Sequence, residues 1–570
     1  MKLLAISPLL HESTAALVVD GTVVAAAAEE RFTRVKNQDG FPHRALEFVL
    51  REGGLGPAEL DAVVHPALPR SIERGRDLRN FRDNVAFVAH TELDARSKAA
   101  HLANYGRGLA RRYARVEGEL PAALHQGLAE HGVSAPIELV DHHEAHVASA
   151  YFASGHARCL AVSLDGYGSG YAGSFYLCDR GRLTLLSPIP YPHSLGTFYR
   201  RVTQALGFKP NRHEGKIVGL AAFGDPSRLA GRVLARFDLE HPDYFRLKAP
   251  QDPFFEVELA KSHSREDIAA AYQRVLEHVA TTYVARWVER TGVTDVVAAG
   301  GVFANVKMNQ RIMEIPAVRS LFVYPNMGDG GVGVGAALVF EARRSALAPS
   351  RLEHVYLGPD LLEADCEAAL TRAGLAYERP ADLEQAIVDE LVQGRVVARC
   401  EGRMEFGPRA LGHRSILYPA TDASVNRWLN DRLRRTEFMP FAPISLASAA
   451  DELYEGIDAV RHSAEFMTVT TNCTARMRRE SPAAVHVDGT ARPQLVRAEA
   501  EPKVHRILEL YERATGIPTL INTSYNMHEE PIVCSAEDAV RAFLEGALEV
   551  LALGPFLVRR ADVARPQPSA

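Results

Sequence analysis

Leu160-Ala161-Val162-Ser163-Leu164-Asp165-Gly166-Tyr167-Gly168-Ser169-Gly170 is a short apolar strand that runs into an aspartate set among glycines. A second strand over 173–177, an Asp179-Arg180-Gly181 turn and a third strand over 183–186 follow it. The chain begins in the same way. Leu3-Leu4-Ala5-Ile6-Ser7 reads as a buried strand and His11-Glu12-Ser13-Thr14 as a polar loop. Residues 15–19 make a second strand, Asp20-Gly21 a hairpin turn and 22–28 a third strand. One pattern met twice predicts an α/β fold in which two similar subdomains face each other across a cleft. An aspartate at the carboxyl end of a strand, ahead of glycines, can face a phosphate or a metal, or simply cap its own turn. Asp165 is therefore a candidate site residue, and His11 in the first loop is another.

Between the two copies lies Asp141-His142-His143-Glu144-Ala145-His146-Val147-Ala148-Ser149-Ala150. On a helix His142 and His146 leave the same face and can meet one ion. Neutral imidazole suits iron, zinc and related metals. With 22 histidines in 570 residues, a shuffled chain holds about one such pair by chance, so acidic partners must carry the case. Met327-Gly328-Asp329-Gly330-Gly331-Val332-Gly333-Val334-Gly335 supplies one. Five glycines around one aspartate are costly in a packed element, so a loop that approaches a ligand is expected here. Asp329 is preferred to Asp165 as the third metal ligand.

Composition is that of an ordinary globular chain longer than one domain: 47% apolar, 24% charged and net −6 over 570 residues. That balance argues against nucleic acid as a partner. Six scattered cysteines without a C-x-x-C pair suit reduced thiols in a cytoplasm. No signal peptide or long apolar span is expected from the sequence. Residues 43–135 read as helical, with Arg107, Arg111, Arg112 and Arg115 on a solvated face. Lys216 stands ahead of a run of small residues, where it can face a phosphate. Ser264-Arg265-Glu266-Asp267 resembles a capping box, and Ile268, Tyr272, Val275, Val279, Tyr283 and Trp287 recur behind it as a core stripe. The strand 295–299 ends in Gly300-Gly301, where a double glycine lets backbone approach a nucleotide closely, with Asn305 just beyond.

A stretch with two prolines over 346–359 reads as a linker that divides 1–345 from 360–570. In the second part, 361–373 reads as a helix stopped by Gly374. A strand over 396–399 runs into the loop 401–415, which holds Arg409, His413 and Arg414. Arg432, Arg434, Arg435, Arg492 and Ile521-Asn522-Thr523-Ser524-Tyr525-Asn526 complete a set of cationic and amide groups. Guanidinium groups grip phosphate or carboxylate oxygens in a fork, and in these glycine- and proline-bounded loops an anion site is favoured over surface ion pairs.

Jointly these motifs resemble an O-carbamoyltransferase of the nodulation and antibiotic-tailoring family. The resemblance is carried by Glu29-Glu30-Arg31-Phe32, His142 to His146, Gly215-Lys216 to Gly224, and Gly300-Gly301 to Asn309. It continues through 402–415, Pro440-Phe441-Ala442-Pro443, Arg492-Pro493-Gln494 and 522–526, and it spans nearly all of 1–560 with its weakest stretch over 50–135. It implies an actin-like N-terminal fold of two subdomains over 1–345, similar to the universal tRNA threonylcarbamoyl transferase subunit. It also implies a YrdC-like α/β domain over 360–570. In such a scheme carbamoyl phosphate and ATP yield carbamoyladenylate, whose carbamoyl group passes to a hydroxyl of a small sugar or natural-product acceptor. His142, His146 and Asp329 would hold iron or another divalent metal such as magnesium. His11 would be the acceptor's base, with Asp165 the next catalytic candidate. Lys216, Gly300, Gly301, Asn305 and Gly330 would contact the nucleotide, and Arg409, Arg414, Arg434, Arg492, Asn522 and Ser524 would cradle carbamoyl phosphate. The expectation is thus a cytoplasmic enzyme of antibiotic biosynthesis without nucleic-acid or membrane partners, for which a homodimer is open.

Around Arg434-Arg435-Thr436-Glu437-Phe438-Met439 the chain departs from some family members, which carry a cation where Met439 stands. That bears on the donor-site contacts of this loop. Three other readings compete. A tRNA-modifying threonylcarbamoyl-type transferase has the acidic balance and the fused donor domain against it. A non-catalytic nucleotide-binding module would bind ATP without turnover. A metallohydrolase lacks the His-Glu-x-x-His pattern it would need.

Overall fold

The computed structural model describes residues 1–114, 120–434 and 440–560. Its contacts separate two compact units. Met1–Val23, Asp39–His43 and Leu50–Arg351 form the first; Val24–Gln38, Arg44–Val49 and the chain from Leu352 onward form the second.

The first unit is built on two five-stranded sheets. One contains β1 (Lys2–Ile6), β2 (Thr14–Val19), β3 (Thr22–Ala28), β4 (Ala62–His65) and β5 (Ile137–Leu139), in the order β3-β2-β1-β4-β5; of its edge strand β3, only Thr22 and Val23 are counted in this unit. The other contains β6 (Arg158–Gly168), β7 (Tyr171–Asp179), β8 (Arg182–Pro190), β11 (Asp295–Ala299) and β12 (Ser320–Val323), in the order β8-β7-β6-β11-β12. A small ribbon pairs β9 (Phe237–Asp238) with β10 (Arg246–Leu247). In each sheet the first two strands are antiparallel, and the first strand lies parallel to a later one that is itself parallel to the last. The repeat in the sequence is therefore a repeat of topology.

β4 falls inside the stretch expected to be helical. Four residues are too few to display a period, and they are buried by β1 and β5, which lie far along the chain. The long helix is as expected: it spans Arg265–Thr291, Ser264 accepts from Asp267 N at its start, and the six stripe residues are buried.

Two helices lie between the sheets. The Asp329–Ala342 helix packs on β1, β2 and β4, the His142–Ser154 helix packs on β6, β7 and β11, and the helices pack on each other. The glycine-rich run around Asp329 is thus not a loop but the opening turns of a buried helix. Each glycine costs a helix about 1 kcal/mol relative to alanine, and here closeness offsets that cost. A Cβ on Gly335 would stand 1.9 Å from the Ala145 carbonyl oxygen and 2.7 Å from Ser149 N.

In the second unit an eight-stranded mixed sheet has the order β13-β22-β21-β14-β15-β20-β16-β19. These are β13 (Tyr377–Glu378), β14 (Val397–Cys400), β15 (Arg414–Pro419), β16 (Ala442–Leu446), β19 (Gln494–Val496), β20 (Thr519–Ser524), β21 (Val550–Leu553) and β22 (Phe556–Arg559). β17 (Thr471–Asn472) and β18 (Thr490–Ala491) form a separate pair. The expected helix ahead of Gly374 spans Glu363–Arg372. Segment Val24–Gln38 belongs to this unit through hydrogen bonds that sequence spacing could not announce. Ala26 N donates to Leu357 O (3.0 Å), Arg31 to Gly407 O (3.0 Å), and Arg34 to Pro531 O (2.7 Å) and Ile532 O (2.8 Å). The six cysteines are buried and unpaired. Among the described residues no helix is long and apolar enough to cross a membrane.

Candidate functional site

Both interior helices of the first unit open with a ligand-type side chain. Asp141 caps the His142–Ser154 helix, its Oδ1 accepting from His143 N (2.9 Å) and Glu144 N (3.3 Å). His142 and His146 then lie one turn apart on the buried face. Asp329 is the first residue of the other helix. Asp165 comes in from β6, whose register with β7 shifts between Leu164 and Gly168. The loop after Asp165 passes so close to His142 that a Cβ on Gly168 would lie 2.0 Å from the imidazole.

Four side chains named separately in the sequence meet at this point. Potential ligand atoms of His142, His146, Asp165 and Asp329 all lie within 4.8 Å of one another, and all four residues are buried. His142 Nε2 is 3.0 Å from His146 Nε2 and 3.4 Å from Asp165 Oδ2 and from Asp329 Oδ1. His146 Nε2 is 3.8 Å from Asp165 Oδ2 and 3.5 Å from Asp329 Oδ1. Atoms that share an ion at about 2.1 Å stand roughly 3.0–3.5 Å apart, so the donor set fits a divalent cation. Two imidazoles with two carboxylates suit iron, manganese or zinc better than a thiolate-seeking ion.

The electrostatics agree. Burial works against a charged His142, but Asp329 and Asp165 outweigh it and carry the ring to about 10. Burial and the Asp329 charge push Asp165 up, and the two histidines overcome both and hold it at about 2. Asp329, also buried, is held well below the usual carboxylate range by His142, His146 and His11. Two buried carboxylates thus demand positive charge, which a proton on His142 or a cation can supply. By contrast, burial lowers the neighbouring His143 and His65 to about 4 each.

His11 stands at the rim. Its Nδ1 is 3.6 Å from Asp329 Oδ2 and its side chain is 45% exposed, against 12% for Asp165 and 8% for Asp329. Glu12, beside it, holds a positive φ of 51° and accepts from Gly330 N at 3.4 Å, while Gly330 O accepts from Thr14 Oγ1 (2.8 Å). Gly301 N donates to Asp165 Oδ1 (3.0 Å), and Gly300, at φ +106°, abuts the Leu164 carbonyl. Lys216 is buried in the Glu214–Ala221 helix. Asn305 differs from the expectation of a nucleotide contact. Its amide pairs reciprocally with Gln273 (2.8 and 3.0 Å) and caps the Val306–Met313 helix through Met308 N.

Arg112 also departs from expectation. It is not on a solvated face: it donates to buried Asp77 (2.9 Å) and lies 3.6 Å over the Tyr167 ring. Arg115 lies outside the described residues. The Arg70–Ala89 helix beside it buries Asp77, Asn80 and Asn84 at spacings of three and four. That polar stripe is a signal that a search for apolar periodicity passes over.

In the second unit the loop 401–415 is closed on itself. Arg414 is fully buried and donates to the carbonyls of Glu401 (2.9 Å), Gly402 (2.9 Å), His413 (3.3 Å) and Pro359 (3.3 Å). The backbone N–H groups of Leu411, His413 and Arg414 converge on Glu405 Oε1 (2.7, 3.0 and 3.2 Å). Arg414 is therefore scaffold and not an open anion ligand. Asn522 donates to Ala410 O (3.0 Å) and Gln494 Oε1 (2.7 Å), and Ser524 pairs with Ser415 in the sheet. A cleft lined by Phe441, Thr470, His486, Thr490 and Arg492 also includes Ala442. Of the six residues expected around carbamoyl phosphate, Arg492 alone is in that lining. Arg409 is half-buried and Arg434 is exposed at φ +57°. The segment 435–439, Met439 included, lies outside the described residues.

Two family models match the chain. A family model described as carbamoyltransferase N-terminus matches residues 2–338, and one described as carbamoyltransferase C-terminus matches 388–560. An uncharacterized protein of Synechocystis sp. is 30% identical, covering 99% of this chain and 97% of that protein. Nodulation protein NolNO of Sinorhizobium fredii is 29% identical (97% and 79%), and nodulation protein U of Rhizobium tropici 26% (91% and 90%). Among solved structures, component A of (R)-2-hydroxyglutaryl-CoA dehydratase from Acidaminococcus fermentans aligns over 60% of this chain and 99% of its own, at 15% identity and a TM-score of 0.33. Full-length HypF in its phosphate- and nucleotide-bound form covers 60% and 46%, at 13% identity and a TM-score of 0.33. With both halves matched across most of its length, the chain belongs to the carbamoyltransferase family and is a transferase enzyme.

Proposed function

We propose that this enzyme is an ATP-dependent O-carbamoyltransferase, in which an actin-like first unit performs the transfer and a YrdC-like second unit prepares the donor. The meeting of His142, His146, Asp165 and Asp329 carries the reading, in a chain matched by both carbamoyltransferase family models. Those four residues would hold iron or another divalent cation. When bound, the cation supplies positive charge against a phosphate leaving group.

The donor arises in two steps. Water opens carbamoyl phosphate to carbamate and phosphate, and carbamate then displaces pyrophosphate from ATP to leave carbamoyladenylate. Arg492 and the hydroxyls of its cleft suit an oxyanion donor by charge. Lys216, Gly300, Gly301 and Gly330 would line the nucleotide side of the first unit. In the transfer, the acceptor oxygen bonds to the carbamoyl carbon, AMP leaves, and the hydroxyl proton must go to a base. His11 is the candidate an acceptor can reach, being far more exposed than Asp165 or Asp329.

The test uses the full-length protein, ATP, labelled carbamoyl phosphate and a library of hydroxylated small molecules. Pyrophosphate release and ATP-dependent entry of label into an acceptor are expected; neither appearing would overturn the proposal. His11→Ala should keep pyrophosphate release while slowing transfer ~100-fold or more, the scale of a lost general base. Transfer at the wild-type rate would remove His11 from the chemistry.

A further inference from the structure

We propose that Arg76 is the positioning residue that fixes the distance between the two segments bearing His142 and Asp165, and so sets the affinity of the His/Asp cluster for a divalent cation. The inference rests on the metal reading above. One nitrogen makes the link. Arg76 Nη1 donates to Asp141 Oδ2 (2.6 Å) and to the Ser169 carbonyl (3.0 Å). Asp141 immediately precedes His142 and uses its other carboxylate oxygen to cap that helix. Ser169 lies four residues beyond Asp165, and its hydroxyl accepts from His142 N at 3.3 Å. Apart from the ligand groups themselves, Arg76 therefore connects the helix start and the β6–β7 loop from outside.

The rest of the Arg70–Ala89 helix holds the same loop. The Tyr167 hydroxyl bonds Glu73 and Asp77, and Asn80 donates to the Gly170 carbonyl (2.6 Å). Ser169 itself sits at φ +50°, a conformation that a residue with a side chain keeps only where its surroundings impose it. The Arg76 guanidinium lies 4.6 Å over the Tyr171 ring, and the ion pair with Asp141 is 22% and 14% exposed, so solvent screening is weak. The role follows from charge. Asp165 and Asp329 repel each other when no cation is held, and a loop free to drift would relieve that repulsion by opening the cluster. A fixed loop keeps the ligands gathered and removes that reorganisation from the binding step.

Full-length wild-type protein and variants, stripped of metal, would be titrated anaerobically with Fe2+ against a chromogenic chelator. Arg76→Ala should weaken Fe2+ binding ~10–100-fold, as loss of a partner outside the ligands does. Because a single nitrogen makes both hydrogen bonds, Arg76→Lys should recover part of that loss and bind Fe2+ more tightly than Arg76→Ala, short of wild type because the stacking on Tyr171 goes with the planar group. Asp141→Asn keeps a good helix cap but loses the ion pair. It should weaken Fe2+ binding like Arg76→Ala, and the double variant should be no weaker than either. This pair also decides the question if Arg76→Ala fails to fold. A Co2+-loaded sample should show an altered visible spectrum in Arg76→Ala and one nearer the wild type in Arg76→Lys. Wild-type Fe2+ affinity in Asp141→Asn, or in a folded Arg76→Ala, overturns the inference. Absence of Fe2+ binding by the wild type overturns the metal reading beneath it.

Discussion

The two units gather charged side chains in their interiors to opposite ends. In the first, two histidines and two aspartates converge, their ring nitrogens and carboxylate oxygens 3.4–3.8 Å apart. In the second, Arg399 and Arg414 are as deeply buried, yet each is met by the protein itself. Arg399 donates to Gly412 O and Glu401, Arg414 donates to backbone carbonyls, and Glu405 takes the amides of the same loop. Ionisable groups gathered around one shared point make a candidate site. Where backbone carbonyls, amides and a neighbouring carboxylate take up most of the hydrogen-bonding capacity, the same types are scaffold.

The largest expected effect comes from the open cluster. His142→Ala and His146→Ala should each reduce bound metal far beyond the ~10–100-fold seen for partners outside a ligand shell, and elemental analysis of purified protein reads this directly. Full metal content in both variants would erase the contrast between the units. Next is the closed loop. Arg414→Met leaves four carbonyls and a buried loop unsatisfied and should destabilise the protein by ~3 kcal/mol in urea titration, with metal content unchanged. A stable variant that lost only donor activation would make Arg414 a ligand after all. The last effect, confined to acid and absent at neutral pH, separates a site histidine from a core one. His193 is buried, accepts from Leu247 N (3.0 Å), and burial first and Arg246 next depress it from 6.5 to about 3. The folded state keeps that ring neutral while the unfolded chain takes up a proton below pH 6.5. Its stabilisation is complete above 6.5 and is lost as pH falls toward 3, at up to ~1.4 kcal/mol per pH unit. His193→Gln should flatten the acid limb of urea stability by about one proton; an identical limb would mean that His193 is already charged in the fold.

Much of the first unit was legible because its signals are local. Asp-Gly turns, alternating short strands and the capped long helix each sit within a few residues. His142, His146 and Asp329 could be named one at a time, but their meeting depends on two helices touching across the interior. The glycine run misled for the same reason: glycine in isolation argues for a loop, and only the proximity of Ala145 gives it a purpose inside a helix. β4 was hidden because its burial comes from strands far away in sequence. Arg76 was hidden because one arginine in a charged helix carries no mark of what it touches. The placement of Val24–Gln38 with the second unit follows from hydrogen bonds to residues more than three hundred positions later, beyond any pattern in the segment.

The interior helices of the first unit are exchanged. The helix that follows β5 covers the second sheet, and the helix that follows β12 covers the first. Each half of the repeat thus borrows its inner layer from the other, and neither can close its own apolar face. Folding of this unit is consequently a joint event: a chain halted after Ser154 holds one complete sheet and the wrong cover for it. The cluster at the two helix starts comes into being only when both exchanges are finished, so the proposed cation binding would double as a report that the whole unit has assembled.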